Sequence, residues 1–324
     1  MTNQIRNLKS ESFAAGTARA CPVCGERNVE DAGPILHPKP EQVAQQPIDL
    51  DGIEFRLRRC ARCEFRFKDP PIPEDKLLAC YAKAGEFQWG GAVVDERYGH
   101  YRYYDVIRSL LQDYAQGKRV LDVGCFNGAL LGYLGDKWEL YGVEPSVQAA
   151  QKARQRGVNI LGATLNDIPE DAEPFDVIVL VDVAEHIVEP LPLFRKISQL
   201  LRPGGIAITV TGDTSTFPWR LLKNRTWYCT LVEHVSFYNE NVMHQIGRSL
   251  GFDNLEHRIL GHERTGLGPK LRDWAMTGAY IVGTAMGGLG IPKLRRMLDR
   301  GAPSWLSAKD HMYHVMRRRE SAPH

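Results

Sequence analysis

The chain of 324 residues is 43% hydrophobic and 25% charged, which is enough apolar material for a domain-sized core and excludes disorder along the whole chain. Its net charge of +2 is too small for a protein that coats nucleic acid, and the composition also excludes collagen and coiled coils. The charge is unevenly spread, because residues 262–324 contain eleven Lys and Arg against five Asp and Glu. A basic C-terminal end therefore follows an acidic body.

The first twenty residues contain no apolar segment of the kind that a secretory signal requires. We therefore predict that residues 1–20 form a disordered lead-in and that the protein is cytoplasmic. The seven cysteines agree with a reducing compartment, because their number is odd and four of them occur in two close pairs.

Two CxxC sequences, Cys21-Pro-Val-Cys24 and Cys60-Ala-Arg-Cys63, predict a metal site near the N-terminus. A tight turn in each lets two thiolates reach one ion, and four thiolates complete a closed tetrahedral site for Zn²⁺. Such a site is structural, because no coordination position is open to water. We predict a zinc-ribbon module over residues 21–80, in which a strand-like run at 53–59 carries the second pair.

The segment Lys118-Arg-Val-Leu-Asp-Val-Gly-Cys-Phe-Asn-Gly128 has the pattern of a buried strand, a glycine-containing turn and the start of a helix. The turn would let a ligand approach the backbone closely. Its glycine spacing differs from the G-x-G-x-x-G of dinucleotide-binding proteins. Asp122, two residues before the first glycine, would repel a pyrophosphate but suits a ligand that carries an ammonium and a sulfonium.

Three further segments follow this turn along the chain. The first is a strand that ends at Glu144, where a carboxylate can accept both hydroxyls of a ribose. The second is a strand that ends at Asp182 and is followed by Glu185 and His186. The third is Leu200-Leu-Arg-Pro-Gly-Gly205, at which a helix ends and another strand begins.

Together with the glycine turn, these segments resemble class I S-adenosylmethionine-dependent methyltransferases, with Phe126 in place of the middle glycine of their first motif. The resemblance implies S-adenosylmethionine as cofactor, with Asp182 at its methionine end. The other residues implied in holding the cofactor are Asp122, Gly124, Cys125, Phe126, Gly128 and Glu144.

The same resemblance, with the alternation of strands and helices, predicts an α/β fold with a Rossmann-like, doubly wound, mostly parallel seven-stranded sheet. The methyltransferase core would occupy residues 81–261, with ligand at the carboxyl ends of the first and fourth strands. Strands are expected at 118–123, 138–144, 158–162, 175–181, 205–211 and 253–260.

Methyl transfer to a hydroxyl or an acidic carbon needs a base near the cofactor. Two acid–histidine pairs are candidates, Glu185-His186 after the fourth strand and Glu233-His234 after the fifth, because a nearby carboxylate can orient an imidazole. Alternatively, either histidine caps a helix or bonds a backbone carbonyl. The second pair, combined with the CxxC sequences, is similar to sugar C-methyltransferases, in which the corresponding residues line the acceptor cleft.

Residues 311–324 resemble the last, antiparallel strand of this fold, followed by a basic tail, so residues 262–310 are predicted to be a helical insertion. Within it, the uncharged stretch 274–292 is expected to form a buried or dimer-forming helical hairpin. The alternative is peripheral contact with a membrane or a lipid-linked acceptor, which the flanking basic residues favour. A membrane crossing is excluded, because the strands on both sides belong to one sheet.

Three functions are consistent with these features. The first, which we favour, is methylation at oxygen or carbon of a small-molecule or glycan acceptor, with a histidine as general base. The second is methylation of ribosomal or transfer RNA, although the acidic body offers little attraction for phosphates and nucleic acid is not the expected partner. The third is a non-catalytic scaffold that retains the fold.

Overall fold

The computed structural model describes residues 19–85, 103–261, 267–286, 303 and 309–320. Residues 1–18 of the predicted lead-in lie outside this part of the chain. So do residues 287–292, the last part of the uncharged stretch.

The N-terminal part contains five strands and a helix, which are β1 (Val29–Pro34), β2 (Gln42–Val43), β3 (Gln46–Pro47), β4 (Arg56–Cys60), β5 (Arg66–Asp69) and α1 (Glu74–Lys83). The following elements up to the fourth strand of the main sheet are α2 (Tyr103–Tyr114), β6 (Arg119–Val123), α3 (Ala129–Leu134), β7 (Glu139–Val143), α4 (Val147–Gln155), β8 (Asn159–Gly162) and β9 (Phe175–Val181). The remainder comprises α5 (Pro190–Leu200), β10 (Leu201–Gly212), α6 (Phe217–Leu222), α7 (Trp227–Thr230), β11 (Ser236–Phe237), α8 (Glu240–Ser249), β12 (Phe252–Gly261), α9 (Leu267–Met286) and β13 (Lys309–Arg318).

The main sheet has seven strands in the order β12-β13-β10-β9-β6-β7-β8. β13 is antiparallel to both of its neighbours, and the other adjoining pairs are parallel. The predicted seven-stranded, mostly parallel sheet is confirmed. Its fifth strand begins earlier than expected, because Leu201 already pairs with Phe175 before the register shifts and Ile206 pairs with Val177.

Helices cover both faces of this sheet, and the side chains of β9 pack against helices on each face. Its side chains are buried on both sides, as the continuous apolar run of a central parallel strand predicts. Val177 and Val179 pack in the cluster that contains α2 and α3, whereas Ile178 and Leu180 pack with α5 and α8. Successive side chains of a strand point to opposite faces, so a single strand contributes to two cores.

A second sheet of four strands has the order β1-β4-β5-β11. Its first three strands come from the region of the two CxxC sequences, and the predicted strand before the second pair corresponds to β4. β11 comes from the chain after β10, where Ser236 pairs with Phe67 and Phe237 with Arg66. The N-terminal sheet is therefore joined by hydrogen bonds to the loop that carries Glu233 and His234.

The predicted insertion contains the twenty-residue helix α9. Among the helices of the described residues, none combines the length and the apolar character that crossing a bilayer requires. β13 follows the insertion and, being antiparallel, begins at the edge of the sheet where the parallel strands end: His311 pairs with Gly212, the last residue of β10.

Candidate functional site

The turn after β6 lies at the carboxyl edge of the main sheet. Gly124 and Gly128 have φ angles of 71° and 75°, which residues with side chains rarely adopt. A side chain at Gly124 would meet Val183 at 2.8 Å. Phe126 also has a positive φ, and Cys125 is buried against the backbone of Gly142. The turn thus has the conformation that brings a ligand close to the backbone.

Glu144 follows β7 at the same edge and is fixed by the turn. Its two carboxylate oxygens accept hydrogen bonds of 2.8 Å from the amides of Phe126 and Ser146. Burial raises the pKa of Glu144, and the two amides oppose that effect. Each carboxylate oxygen retains a second lone pair, so the residue can still accept hydrogen bonds from a ligand.

Asp122 lies near the end of β6 and is buried. Burial, with the negative charge of Glu144 as a second cause, raises the pKa of Asp122 to about 8. A buried carboxyl group in this state is stabilised as an anion when a cation binds beside it. The donor set is therefore suited to a positively charged ligand.

Asp182 follows β9 with a positive φ of 52°. Its Oδ1 lies 3.8 Å from Nε2 of His311, whose Nδ1 lies 2.8 Å from Oδ1 of Asp310. The buried His311 side chain thus stands between two carboxylates. Burial acts to lower the pKa of His311, but the net shift is upward because of the bond to Asp310 and the negative charges around the ring.

His186 lies at the end of a short 3-10 helix, Ala184–His186, after β9. Its Nδ1 is 2.8 Å from the hydroxyl oxygen of Tyr81 and 3.2 Å from the backbone carbonyl oxygen of Glu233. Burial lowers the pKa of His186 and raises the pKa of Tyr81. α1, which carries Tyr81, therefore contributes directly to this cluster.

His234 is buried beside His186, with 4.9 Å between the ring centroids. Its Nδ1 lies 3.0 Å from the carbonyl oxygen of Tyr228, so Nδ1 is assigned as the donor and Nε2 keeps its lone pair. Nε2 is buried and has no hydrogen-bond partner within the described part of the chain. Burial holds the pKa of His234 well below its usual value, and the nearby His186 lowers it further.

Glu185 is buried, and its carboxylate lies within 4.8 Å of a ring nitrogen of both His186 and His234, but its two hydrogen bonds go to other residues. Its Oε1 accepts a hydrogen bond of 2.6 Å from the hydroxyl of Tyr228, and its Oε2 accepts one of 2.9 Å from Thr211. Burial raises its pKa. The pairing of each histidine with its preceding glutamate, expected from the sequence, differs from the observed contacts. Glu185 instead bonds to Thr211 on β10, and Glu233 contributes its backbone carbonyl group to the cluster through His186.

Residues 96–257, half of the chain, match the model of a family described as a methyltransferase domain. The chain belongs to this family of methyltransferase domains. The family assignment agrees with the sheet order and with the position of the glycine turn at the carboxyl edge of the sheet.

This methyltransferase domain is similar to curated proteins named ubiquinone biosynthesis O-methyltransferase. The protein of that name from Mesorhizobium japonicum is 29% identical over 159 residues, which are 46% of this chain and 61% of that protein. The one from a Caulobacter species is 35% identical over 106 residues, 30% of this chain and 41% of that protein. The matches therefore span less than two thirds of these relatives.

Solved structures of methyltransferases are similar at lower identity. A SAM-dependent methyltransferase of Thermotoga maritima is 18% identical, covers 70% of this chain and 94% of its own, and has a TM-score of 0.45. The magnesium protoporphyrin IX methyltransferase of Synechocystis, solved with bound SAH, is 15% identical, with coverages of 72% and 90% and a TM-score of 0.46.

The residues predicted from the methyltransferase motifs occur together at one edge of the sheet, whereas three contributors were missed. Tyr81 lies far upstream, Tyr228 occurs in a segment without a motif, and His311 lies beyond the insertion. The Asp310-His311 sequence was a usable signal for the third, because an antiparallel last strand must begin at the ligand edge. No local pattern identifies the other two.

The four cysteines of the CxxC sequences form a separate cluster in which all four Sγ atoms lie within 4.8 Å of one another. The Sγ atom of Cys21 lies 3.6 Å from that of Cys63, and the Sγ atom of Cys24 lies 3.5 Å from that of Cys60. Four thiolates around zinc at ~2.3 Å would be about 3.8 Å apart, so the arrangement fits this metal. A hydrogen bond from Cys63 lowers the pKa of Cys21, whereas the same bond raises the pKa of Cys63 and burial raises that of Cys24.

Proposed function

We propose that the chain transfers a methyl group from S-adenosylmethionine to a hydroxyl group of a small molecule, with His234 as the general base. Membership of the methyltransferase family supports the reaction class, and the names of the curated relatives support oxygen as the methylated atom. The observation that carries the proposal is the buried Nε2 of His234, which has a fixed tautomer and an available lone pair.

The cofactor, when bound, supplies an activated methyl group on a sulfonium. The protein therefore needs to bind the cofactor, align the acceptor hydroxyl with the methyl group and remove the proton of that hydroxyl. We assign Glu144 to the ribose hydroxyls and Asp122 to the cationic part of the cofactor. Asp182 is assigned to the methionine end. The turn at Gly124, Cys125, Phe126 and Gly128 would lie along the cofactor, because its backbone is open to close approach.

His234 would take the proton of the acceptor hydroxyl. Its lowered pKa keeps the imidazole neutral at pH 7, which is the form that can accept a proton. The bond from Nδ1 to the carbonyl oxygen of Tyr228 holds the ring with Nε2 as the acceptor. The hydroxyl of Tyr228 also donates to Glu185, so one residue contacts the base through its carbonyl group and a buried carboxylate through its side chain.

The roles of His186, Glu185 and Glu233 follow from the same arrangement. His186 is held by Tyr81 and by the carbonyl group of Glu233, and we assign it to positioning the loop of His234 and lining the cleft. Glu185 would act through Tyr228. The side chain of Glu233 is half-buried next to the cleft and is assigned to the acceptor.

We also propose that Cys21, Cys24, Cys60 and Cys63 bind one structural Zn²⁺. The spacing of the Sγ atoms supports this assignment, as do the amides of Arg62 and Cys63, each 3.4 Å from Sγ of Cys60. Such amides stabilise thiolate charge. A glycan acceptor, a homodimer and a cytoplasmic location stay predictions from the sequence.

The experiment that tests the proposed function has two parts. Calorimetry should show binding of S-adenosylmethionine, and at least one member of a panel of small hydroxylated molecules should become labelled from methyl-labelled cofactor. His234→Ala should lower turnover about a hundredfold or more, because general-base catalysis contributes typically 10²–10⁴-fold. Its affinity for the cofactor should stay within about twofold of that of the native protein, because none of the residues assigned to the cofactor is altered.

A chain that fails to bind the cofactor would point to the scaffold hypothesis. If the chain binds cofactor and His234→Ala is as active as the native protein, the assignment of the base is wrong. His244→Ala is a matched control, because His244 lies on α8, away from the cluster at the carboxyl edge.

A further inference from the structure

The outward face of α9 is apolar along its whole length. Asp273, Thr277 and Tyr280 are buried on the face that packs against the protein. A rotation of about 100° per residue places all but one of the exposed apolar side chains on one continuous arc opposite that face, and the exception, Met276, lies outside it at about 300° if Asp273 is set at zero. We call this arc the α9 surface; it comprises Leu267, Leu271, Trp274, Ile281, Val282 and Met286.

The exposure of the α9 surface is large for apolar side chains. Leu267 is 81% exposed, Leu271 69% and Val282 56%. α6 extends the apolar area, since the ring of Phe217 lies 5.5 Å from that of Trp274 and both Phe217 and Leu221 are exposed. Large contiguous apolar patches on a protein surface commonly mark interaction sites.

Positive charges surround the α9 surface. Lys270 and Arg272 lie at about 60° and 260° on the helical wheel if Asp273 is set at zero, so they border the two sides of the arc. The neighbouring segment 217–225 contributes Arg220, Lys223 and Arg225, and Arg225 donates a hydrogen bond of 3.1 Å to Thr284 of α9.

Acidic residues are almost absent from the same two segments. Residues 217–225 and 267–286 contain a single acid, Asp273, and it is buried. Two copies of the chain that met through this face would bring ten like charges together, which disfavours a second copy as the occupant. An anionic lipid surface, in contrast, matches both the apolar arc and its basic border.

We propose that α9 docks the protein onto anionic membranes by lying in the headgroup region, with the α9 surface toward the acyl chains. The helix of twenty residues would extend ~30 Å along the bilayer. Both of its ends lead to strands of one sheet, so a parallel orientation is the one that the fold permits. This inference goes beyond methyl transfer and does not depend on it.

The test is flotation of the full chain with vesicles of phosphatidylcholine alone or of phosphatidylcholine mixed with phosphatidylglycerol. We expect the chain to float with the mixed vesicles, and less so as ionic strength rises. Leu271→Glu together with Val282→Glu should abolish flotation, because charges would enter the acyl region. Val147→Glu is the matched control, since Val147 is 71% exposed on α4 near the opposite edge of the sheet.

A second set of variants tests the charges. Lys270→Gln and Arg272→Gln should each weaken binding to the mixed vesicles roughly fivefold, the factor that corresponds to one basic side chain near an anionic surface. Thermal unfolding should be unchanged in Lys270→Gln, whereas Arg272→Gln also removes the 3.3 Å ion pair with the buried Asp273 and should lower the unfolding temperature, so Lys270→Gln isolates the effect of charge. The proposal is overturned if the native chain stays unbound with mixed vesicles or if the Leu271→Glu, Val282→Glu double variant floats as well as the native chain. It is equally overturned if sedimentation shows a native dimer that this double variant dissociates.

Discussion

At the residue scale, the candidate site combines carboxyl groups and imidazoles whose protonation is set by burial. Asp122 and Glu144 have raised pKa values beside the turn assigned to the cofactor, and His186 and His234 have lowered ones beside the cleft assigned to the acceptor. Such opposed shifts are typical of sites that bind charge at one end and accept a proton at the other. The protonation of Asp122 is the one that binding of a cation should change most.

We predict that binding of S-adenosylmethionine releases a proton from Asp122. Its pKa of about 8 means that the carboxyl group is mostly protonated at pH 7 in the free protein, and a cation beside it favours the anion. Cofactor affinity should therefore rise as the pH approaches 8 and then level off. Calorimetry in buffers of different ionisation enthalpy measures the released proton.

The control for this prediction is Asp122→Asn, which keeps the shape of the side chain and cannot titrate. The variant should bind the cofactor more weakly and release no proton. Equal proton release by the variant and the native protein would assign the titration to another group, such as Glu144.

At the scale of the elements, the proposed base His234 lies in a loop that a buried lysine holds in place. Lys68, on β5, is buried and donates hydrogen bonds to the carbonyl oxygens of Leu231 and Val232, the latter at 3.2 Å. Its amide donates to the carbonyl oxygen of Val235 at 2.9 Å. Lys68 of β5 thus bonds to the chain before His234, at Leu231 and Val232, and after it, at Val235.

Lys68→Met is expected to lower turnover about tenfold while leaving cofactor affinity unchanged. The substitution leaves two buried carbonyl groups without their donor, so the loop should shift and a small displacement of the base is costly. Steady-state kinetics with a separate binding measurement distinguish the two effects. Lys83→Met, at an exposed position of α1, is the control. A loss of cofactor affinity equal to the loss of turnover would contradict this account.

Burial also gives the Lys68 variant a stability signature. Burial lowers the pKa of Lys68 to about 8, so the folded protein binds this proton less tightly than the unfolded chain. The charged form therefore costs stability below pH 8, and this cost disappears between pH 8 and the usual pKa of lysine near 10.4. The variant should lose this rise of stability with pH, which urea unfolding at several pH values measures.

At the scale of the whole molecule, the cysteine cluster and the methyltransferase sheet are structurally connected. The cluster is carried by the turns that flank β1 and β4. Their sheet ends in β11, two residues after His234. Loss of the proposed zinc ion should therefore affect the residues around His234 more than the turn assigned to the cofactor, which belongs to the other sheet.

For Cys63→Ser we expect loss of zinc, faster hydrogen exchange at residues 231–237 and a clear decrease of turnover. Cofactor binding should persist, because Gly124, Gly128 and Glu144 lie on the main sheet. Zinc analysis and exchange measured by mass spectrometry read out the first two effects. Cys80→Ala, a buried cysteine outside the cluster, should retain zinc. Unchanged exchange at β11 in the zinc-free variant would argue against the coupling.

Spacing along the sequence determined the parts of this protein that depend on local physics. The apolar period of each strand, the positive φ that Gly124 and Gly128 permit, and the two thiols that one CxxC turn presents are properties of a few consecutive residues. Together with the resemblance to methyltransferase motifs, they predicted the main sheet and the cysteine cluster, and the residues assigned to the cofactor stay a prediction.

Tertiary structure alone decided which side chains meet around His234, the proposed base. Tyr81, Tyr228 and His311 are brought to His186, His234 and Asp182 by α1, α7 and the antiparallel β13, and no sequence spacing relates them. The same holds for β11, which begins at Ser236 and completes a sheet whose first strand begins at Val29. A hydrogen bond forms between groups that folding places within about 3 Å, so partners far apart in the sequence become evident only from the packed molecule.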